Sequence, residues 1–185
     1  MKKVFWILIE IFFVLQVRAQ EKVQFSSINL IGILAGGSGQ GAAVQTTNGI
    51  CYKHWNAGIG TGIDWYGVRS IPLVADIRRS FTNKKCKPFV YGNAGVNFPW
   101  ENGYGYNVGF SSVETTYKNG FCGEMGLGYK VSLKNHAAIV VSAGFSYKEI
   151  KGEQISSSGI PGFEKTTSLY DYYYRRIAIR MGFSF

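Results

Sequence analysis

Alternation is the dominant pattern along this chain. Segment after segment places a large apolar side chain at every second position with small or polar residues between, and almost none repeats at the 3.6-residue spacing of a helix. Near the C-terminus Ile177, Ile179, Met181, Phe183 and Phe185 share one face, and Ala178, Arg180, Gly182 and Ser184 the other. Upstream, Ile139, Val141, Ala143, Phe145 and Tyr147 alternate with Val140, Ser142, Gly144, Ser146 and Lys148. Before that, Phe121, Met125, Leu127, Tyr129 and Val131 alternate with Cys122, Glu124, Gly126, Gly128 and Lys130. The alternation predicts eight strands, at 23–36, 41–53, 55–66, 71–82, 88–100, 120–133, 136–149 and 170–185.

The connections between these segments sort by parity. Those after the second, fourth and sixth are short and polar, at Lys53–His54, Thr82–Lys87 and Lys134–Asn135, whereas those after the fifth and seventh are long. Short turns on one rim and long loops on the other are the pattern of an outer-membrane barrel, the short turns facing the periplasm. The expected fold is all-β: an eight-stranded antiparallel up-and-down transmembrane β-barrel with both termini on the short-turn rim. A soluble lipocalin-like barrel or sandwich shares the same two-residue period.

Residue size indicates which face points inward. Gly58, Gly60 and Gly62 alternate with Ala57, Ile59, Thr61 and Ile63, and small residues suit the crowded interior of an eight-stranded barrel. The larger apolar residues are then expected to face lipid, with Trp55, Trp65, Phe81, Trp100, Phe183 and Phe185 in interfacial girdles. The small-residue faces also carry Asp64, Asp76, Arg78, Glu124, Lys130, Arg176 and Arg180. In a dry lumen these charges must neutralise one another, because an unpaired buried charge is strongly destabilising. A plug of ion pairs, not an open pore, is expected.

The first residues read differently. Lys2 and Lys3 precede an apolar stretch from Val4 to Val17 that ends near Ala19, the order of a secretory signal peptide. Interrupted by Glu10, that stretch is too short for a spanning helix, which needs about 20 apolar residues. The expected organisation is a signal peptide at 1–19 followed by one barrel domain at 20–185; an uncleaved anchor tethering a soluble barrel is the alternative.

Charge and candidate chemistry change this picture little. The chain carries a formal +9, and without residues 1–19 the remaining 17 Lys and Arg against 10 Asp and Glu leave +7. These charges are scattered over turns and strand interiors, which argues against nucleic acid; outer-membrane lipid headgroups and lipopolysaccharide phosphates are the more natural counter-charges. Cys51, Cys86 and Cys122 cannot all pair within one chain and lack zinc spacing. The glycine runs at 36–41 (GGSGQG) and 58–62 (GIGTG) open no helix and carry neither a P-loop nor a dinucleotide fingerprint. His54 and His136 fall at short turns without the Ser, Cys or carboxylate arrangement of a general base. No catalytic residue, cofactor or metal site is expected.

Several stretches resemble a known family. RSIPLVADIRRSF at 69–81, the Lys-rich turn after it, PFVYGNAGVNF at 88–98, GEMGLGYKVSL at 123–133 and the terminal GFSF are similar to the small outer-membrane β-barrel proteins of Bacteroidota. The resemblance implies a barrel comparable to OmpX and the OmpA membrane domain, inserted by the barrel-assembly machinery through its C-terminal aromatic. The chain departs from that signal where Arg180 stands in place of Gly. The shared motifs are structural and transfer no activity.

Display functions belong to loops held by a rigid barrel. The connection from Glu101 to Asn119 carries Tyr104, Tyr106, Phe110 and Tyr117, and that from Lys151 to Leu169 carries Phe163 and leads into Tyr170, Tyr172, Tyr173 and Tyr174. Tyrosine among Ser, Gly and Asn suits an adaptable contact surface, and equally an aromatic girdle. Tyr104, Tyr106, Phe110, Tyr117 and Phe163 are therefore candidate contacts for an unidentified extracellular partner. Three function classes remain: a non-enzymatic outer-membrane barrel with a structural or surface-interaction role, a lipid-modifying outer-membrane enzyme, and a soluble periplasmic ligand-binding barrel. The enzyme needs a His or Ser constellation at the outer rim, and the carrier needs an apolar lumen with a polar exterior. The first class fits the parity.

Overall fold

A strand that is oily on one face and small or charged on the other must find a separate environment for each, and this chain does so by closing its sheet. The computed structural model describes residues 23–82, 85–100, 103–108, 111–133, 137–158 and 165–185. The expected signal peptide at 1–19, His136, Phe110 and Phe163 lie outside these residues. The strands are β1 (Gln24–Gly36), β2 (Gly39–Tyr52), β3 (Trp55–Asp64), β4 (Ser70–Ser80), β5 (Cys86–Pro99), β6 (Gly103–Val108), β7 (Ser111–Lys118), β8 (Gly120–Ser132), β9 (Ala138–Ser158) and β10 (Thr166–Ser184). Eight of them run around the barrel in the order β1-β2-β3-β4-β5-β8-β9-β10, every pairing antiparallel. β10 then returns to β1, in register from Ile28↔Ser184 to Gly36↔Arg176. The result is a closed eight-stranded antiparallel β-barrel with no helix among the described residues. Closure pairs the strand edges that an open sheet leaves exposed.

One rim carries a two-residue turn beside the chain's terminal strand ends. Lys53 and His54 bridge the Tyr52↔Trp55 pair, with Lys53 in the left-handed region at φ 54°. The first and last strands also meet there, with Gln24 opposite Cys51 and Ser184 opposite Ala138. At the other rim Gly37 and Ser38 bridge the Gly36↔Gly39 pair, Gly39 supplying the φ of 105° that a tight turn of this kind asks of glycine.

The two long connections differ from the loops expected of them. β7 carries on the line of β8 against β9, and β6 pairs with β7. β9 and β10 stay paired out to Ser156↔Thr166. A four-stranded sheet, β6-β7-β9-β10, thus stands above one side of the rim, and Tyr104, Tyr106 and Tyr117 lie on strands. Runs such as VETTY at 113–117 are β-branched and aromatic, which favours a pleated surface, and each such strand gains a neighbour to satisfy its backbone.

Parity sets the two faces of the wall. Ile31, Ile33, Val44, Ile59, Leu73, Ile77, Val96, Met125, Leu127, Val141, Ile177, Ile179 and Met181 are exposed on the outside, while Arg176 and Arg180 are buried inside. Exposed aromatics flank this belt: Phe25, Trp55, Phe81, Tyr129, Phe183 and Phe185 toward the short-turn rim, Trp65, Phe98, Trp100 and Phe121 toward the other. Asn29 and Thr46 interrupt the belt and answer each other, the Thr46 hydroxyl donating to Asn29 Oδ1 at 2.8 Å.

The interior is less purely small and charged than residue size suggested. Ile28, Leu30, Phe89, Tyr91 and Val140 form one buried apolar cluster, and Leu34, Ala43, Tyr66 and Ala178 a second, with Tyr174 packed against it. Side chains fill a barrel of this size, and glycines leave room for the large ones. A Cβ on Gly128 would overlap the Phe89 ring. Gly128→Val is expected to destabilise the barrel by about 1–3 kcal/mol through overpacking, and Phe89→Leu in the same chain to recover part of the loss; urea unfolding measures both. An unchanged midpoint for Gly128→Val would contradict the inward packing of Phe89.

Candidate functional site

Two parts of the fold gather chemistry: the lumen, and the sheet raised above the rim. Inward parity brings charges from β3, β9 and β10 together at the distal end of the lumen. The Arg176 guanidinium donates through Nη1 to Asp64 Oδ2 at 2.5 Å and through Nη2 to Ser146 Oγ at 2.8 Å. Lys148 Nζ lies 3.4 Å from Asp64 Oδ1 and donates to the carbonyls of Tyr66 and Val68 at 3.0 and 2.7 Å. The Tyr66 N–H donates to Asp64 Oδ1 at 2.8 Å, and its ring lies 5.2 Å beneath the Arg176 guanidinium. The Tyr66 hydroxyl accepts from the Ser38 N–H at 3.0 Å, tying this layer to the β1–β2 turn at the mouth.

Deeper in, Glu124 on β8 accepts from Arg180 Nε and Nη2 at 3.1 and 2.7 Å, and from the Tyr91 hydroxyl at 2.8 Å. Toward the short-turn rim, Asp76 accepts from Arg78 Nε and Nη2 at 2.8 and 3.1 Å along the same strand. The Arg78 guanidinium lies over Phe89 and Tyr91, 5.8 and 5.4 Å from the ring centroids. Of the charged residues singled out from sequence, Asp64, Asp76, Arg78, Glu124, Arg176 and Arg180 are thus drawn into ion pairs. Lys130 differs: it donates to the Ser184 hydroxyl at 2.8 Å. Lys148, fully buried, belongs to the network and was missed; its alternation with Ser142 and Ser146 was the available signal.

Gln45, Gly60, Asn93, Asn97, Glu124 and Arg176 are among the residues around an interior cavity of about 30 Å³. Both polar atoms of the Asn97 amide and Arg176 Nε are buried and make no hydrogen bond within the protein. A polar space of this size suits a water or two, each needing roughly 10–15 Å³. No cluster of three or more metal-ligating side chains occurs among the described residues.

Tyrosines define the second part. Tyr66 meets Tyr174 edge-on at 5.7 Å, Tyr174 stacks on Tyr172 at 6.4 Å, and Tyr172 meets Tyr117 at 6.4 Å. Tyr117 then meets Tyr104 at 6.4 Å, and Tyr104 stacks on Tyr106 at 6.2 Å. This row climbs without a break from the lumen mouth to β6, the outermost strand of the raised sheet. It unites Tyr104, Tyr106 and Tyr117, and extends to Tyr172, Tyr174 and Tyr66, which share the inward parity of Arg176. On the opposite face Phe121, Tyr147 and Tyr173 form a shorter row, with centroids 6.2 and 6.5 Å apart. Burial, then the neighbouring Tyr104 and Tyr172, pushes the Tyr117 phenol up to about 12.

Two outcomes follow from these contacts. Arg180→Met leaves Glu124 buried without its cation and is expected to cost about 3–5 kcal/mol, whereas the double variant Glu124→Gln/Arg180→Met should cost much less; urea unfolding of Arg180→Met, Glu124→Gln and the double variant gives the coupling, and additive losses would contradict a paired lumen. The difference between the ultraviolet titrations of the chain and of Tyr117→Phe should show a phenol ionising near pH 12, and a difference centred near 10 would contradict the packing of Tyr117. Because an unfolded tyrosine titrates near 10, the stability that neutral Tyr117 contributes is complete below about pH 10 and lost as pH rises through about 12.

No family model matches the chain, and no curated protein matches it. Among solved structures the chain is similar to the crystal structure of Neisserial surface protein A (NspA), with a TM-score of 0.57 and 10% sequence identity over 89% of this chain and 98% of that one. At that identity the likeness establishes a shared small-barrel fold and nothing finer.

Proposed function

We propose that the chain is a non-enzymatic barrel of a bacterial outer membrane, plugged along its axis, that holds a tyrosine-faced sheet above the membrane as a contact surface. The observation that carries this reading is the belt of exposed large apolar residues on the outer wall, bounded by aromatics at both rims. Soluble monomers rarely expose continuous apolar patches beyond a few hundred Å². The barrel strands contain at least the 10 residues of β3, and about 9–11 tilted residues cross a bilayer. The likeness to a protein named as a neisserial surface protein supports the same reading.

On this reading residues 1–19 direct export, residues 20–185 form the barrel, and the barrel-assembly machinery inserts it. Lipid and lipopolysaccharide surround it, the short-turn rim faces the periplasm, and the raised sheet faces outward. The carrier alternative is disfavoured by the lumen, where side chains leave interior cavities of about 30 and 60 Å³ against the roughly 300–1,000 Å³ of ligand pockets. A role in surface contact is favoured over a purely structural one by the unbroken tyrosine row, which extends well beyond what a rim girdle requires.

Membrane fractionation with a heat-modifiability gel tests the placement. The full chain is expected in the outer-membrane fraction with a heat-dependent mobility shift, and recovery in the soluble periplasm without a shift would overturn it. Deleting residues 103–117 tests the display role: insertion and heat-modifiability should survive while binding of cells to host or abiotic surfaces falls. Unchanged binding with intact insertion would remove this sheet from consideration.

A further inference from the structure

We infer that the short-turn mouth of the barrel holds a binding site for a phosphate group. Cations outnumber carboxylates among the described residues of the lumen. Its described cations are Arg78, Lys87, Lys130, Lys148, Arg176 and Arg180, and its described carboxylates are Asp64, Asp76 and Glu124. Asp64 is shared by Arg176 and Lys148, Glu124 serves Arg180 and Asp76 serves Arg78. Lys130, pointing inward from β8 with a neutral hydroxyl as its bonded partner, has no carboxylate in this set. A half-buried ammonium surrounded by other cations calls for a counter-anion.

The space for one is present. A cavity of about 60 Å³ opens between Lys130, Lys87, Arg78, Lys53 and His54, with Ile28, Phe89 and Val140 forming its apolar floor. On the measure by which one water needs roughly 10–15 Å³, it has room for a small polyatomic anion. Its lining supplies ammonium groups, a guanidinium already fixed by Asp76, the hydroxyl of Ser80 and, among the described residues, no carboxylate. The ring nitrogen His54 Nδ1 is buried there without a hydrogen-bond partner. The described residues agree: 49–57, 77–82, 85–90, 129–133 and 137–140, strand ends and turns at this rim, contain no Asp or Glu. They carry Lys53, Arg78, Arg79, Lys85, Lys87 and Lys130. Acidic side chains, by contrast, include Glu114, Glu149, Glu153 and Asp171 on the raised sheet at the opposite end.

Compact tetrahedral oxyanions match this arrangement better than extended ligands, because several donors converge on one small space from different strands. The phosphate could belong to a lipid headgroup at the membrane surface or to a free ion. The site belongs to the closed barrel itself, so it stands apart from the display role of the tyrosine sheet.

The test uses the full chain folded in a non-ionic detergent, titrated separately with inorganic phosphate and with a short-chain phosphatidylglycerol and followed by phosphorus NMR and by thermal unfolding. Both probes, or the lipid alone, should bind and raise the unfolding midpoint; lipid binding alone assigns the site to headgroups, and binding of both to any accessible phosphate. Lys130→Met and Lys87→Met should each weaken binding at least tenfold, whereas Lys151→Met on the raised sheet should leave it unchanged. Lys130→Met should also raise the unfolding midpoint in phosphate-free buffer, since it removes an uncompensated cation, while Lys130→Arg keeps binding. Absence of binding by either probe, or equal binding by the Lys130 and Lys151 variants, overturns the site. If Lys130→Met fails to show the heat-dependent mobility shift of a folded barrel, Lys87→Met decides by the same criterion.

Discussion

Everything in this molecule depends on pairing charge inside a cylinder too narrow to hold water freely. Closing β10 onto β1 satisfies the strand edges and commits alternate residues of each strand to an interior that only side chains can fill. Charges committed to that interior must meet each other or a counter-charge from outside it. Asp64 with Arg176 and Lys148, and Glu124 with Arg180 and Tyr91, do so from strands distant in sequence. The ion pairs among these contacts join strands that backbone hydrogen bonds leave unpaired, β3 with β9 and β10 and β8 with β10, and they are strong because the surroundings are poorly solvated.

The same parity makes the exterior. Each residue that places a charge or glycine inside places its neighbour outside, so Arg176 and Arg180 interleave with Ile177, Ile179 and Met181. The oily belt and the polar plug are thus two readings of one sequence pattern. Apolar clusters around Phe89 and Tyr66 fill the space between charged layers, which divides the interior into small cavities and leaves it unlike the apolar pocket of a carrier.

The barrel was legible from sequence because a period of two, repeated over long segments, is compatible with few folds. Boundaries near Lys53, Gly37 and Ser80 were set by turns, and turn residues announce themselves. The raised sheet was not legible for the opposite reason: GYGYNV and EQISSS carry the Gly, Ser and Asn of loops, and only pairing with a neighbour reveals them as strands. Inward Phe89 and Tyr91 were hidden too, since size alone sends an aromatic outward, and the glycine that admits the Phe89 ring, Gly128, lies on another strand. Lys148 stood on the correct face, yet its partner Asp64 is too far along the chain for any local pattern to join them.

The central claim is that bulky apolar side chains meet hydrocarbon while the paired charges occupy the axis. Spin labels placed singly at positions 178 and 179, in a chain with Cys51, Cys86 and Cys122 changed to Ser and reconstituted into lipid vesicles, report this most directly through their accessibility to dissolved oxygen and to a water-soluble nickel reagent. The label at 179 should be open to oxygen and shielded from nickel, and the label at 178 shielded from both. A label at 179 relaxed by the nickel reagent, as it would be on the wetted wall of a soluble barrel, would contradict the account.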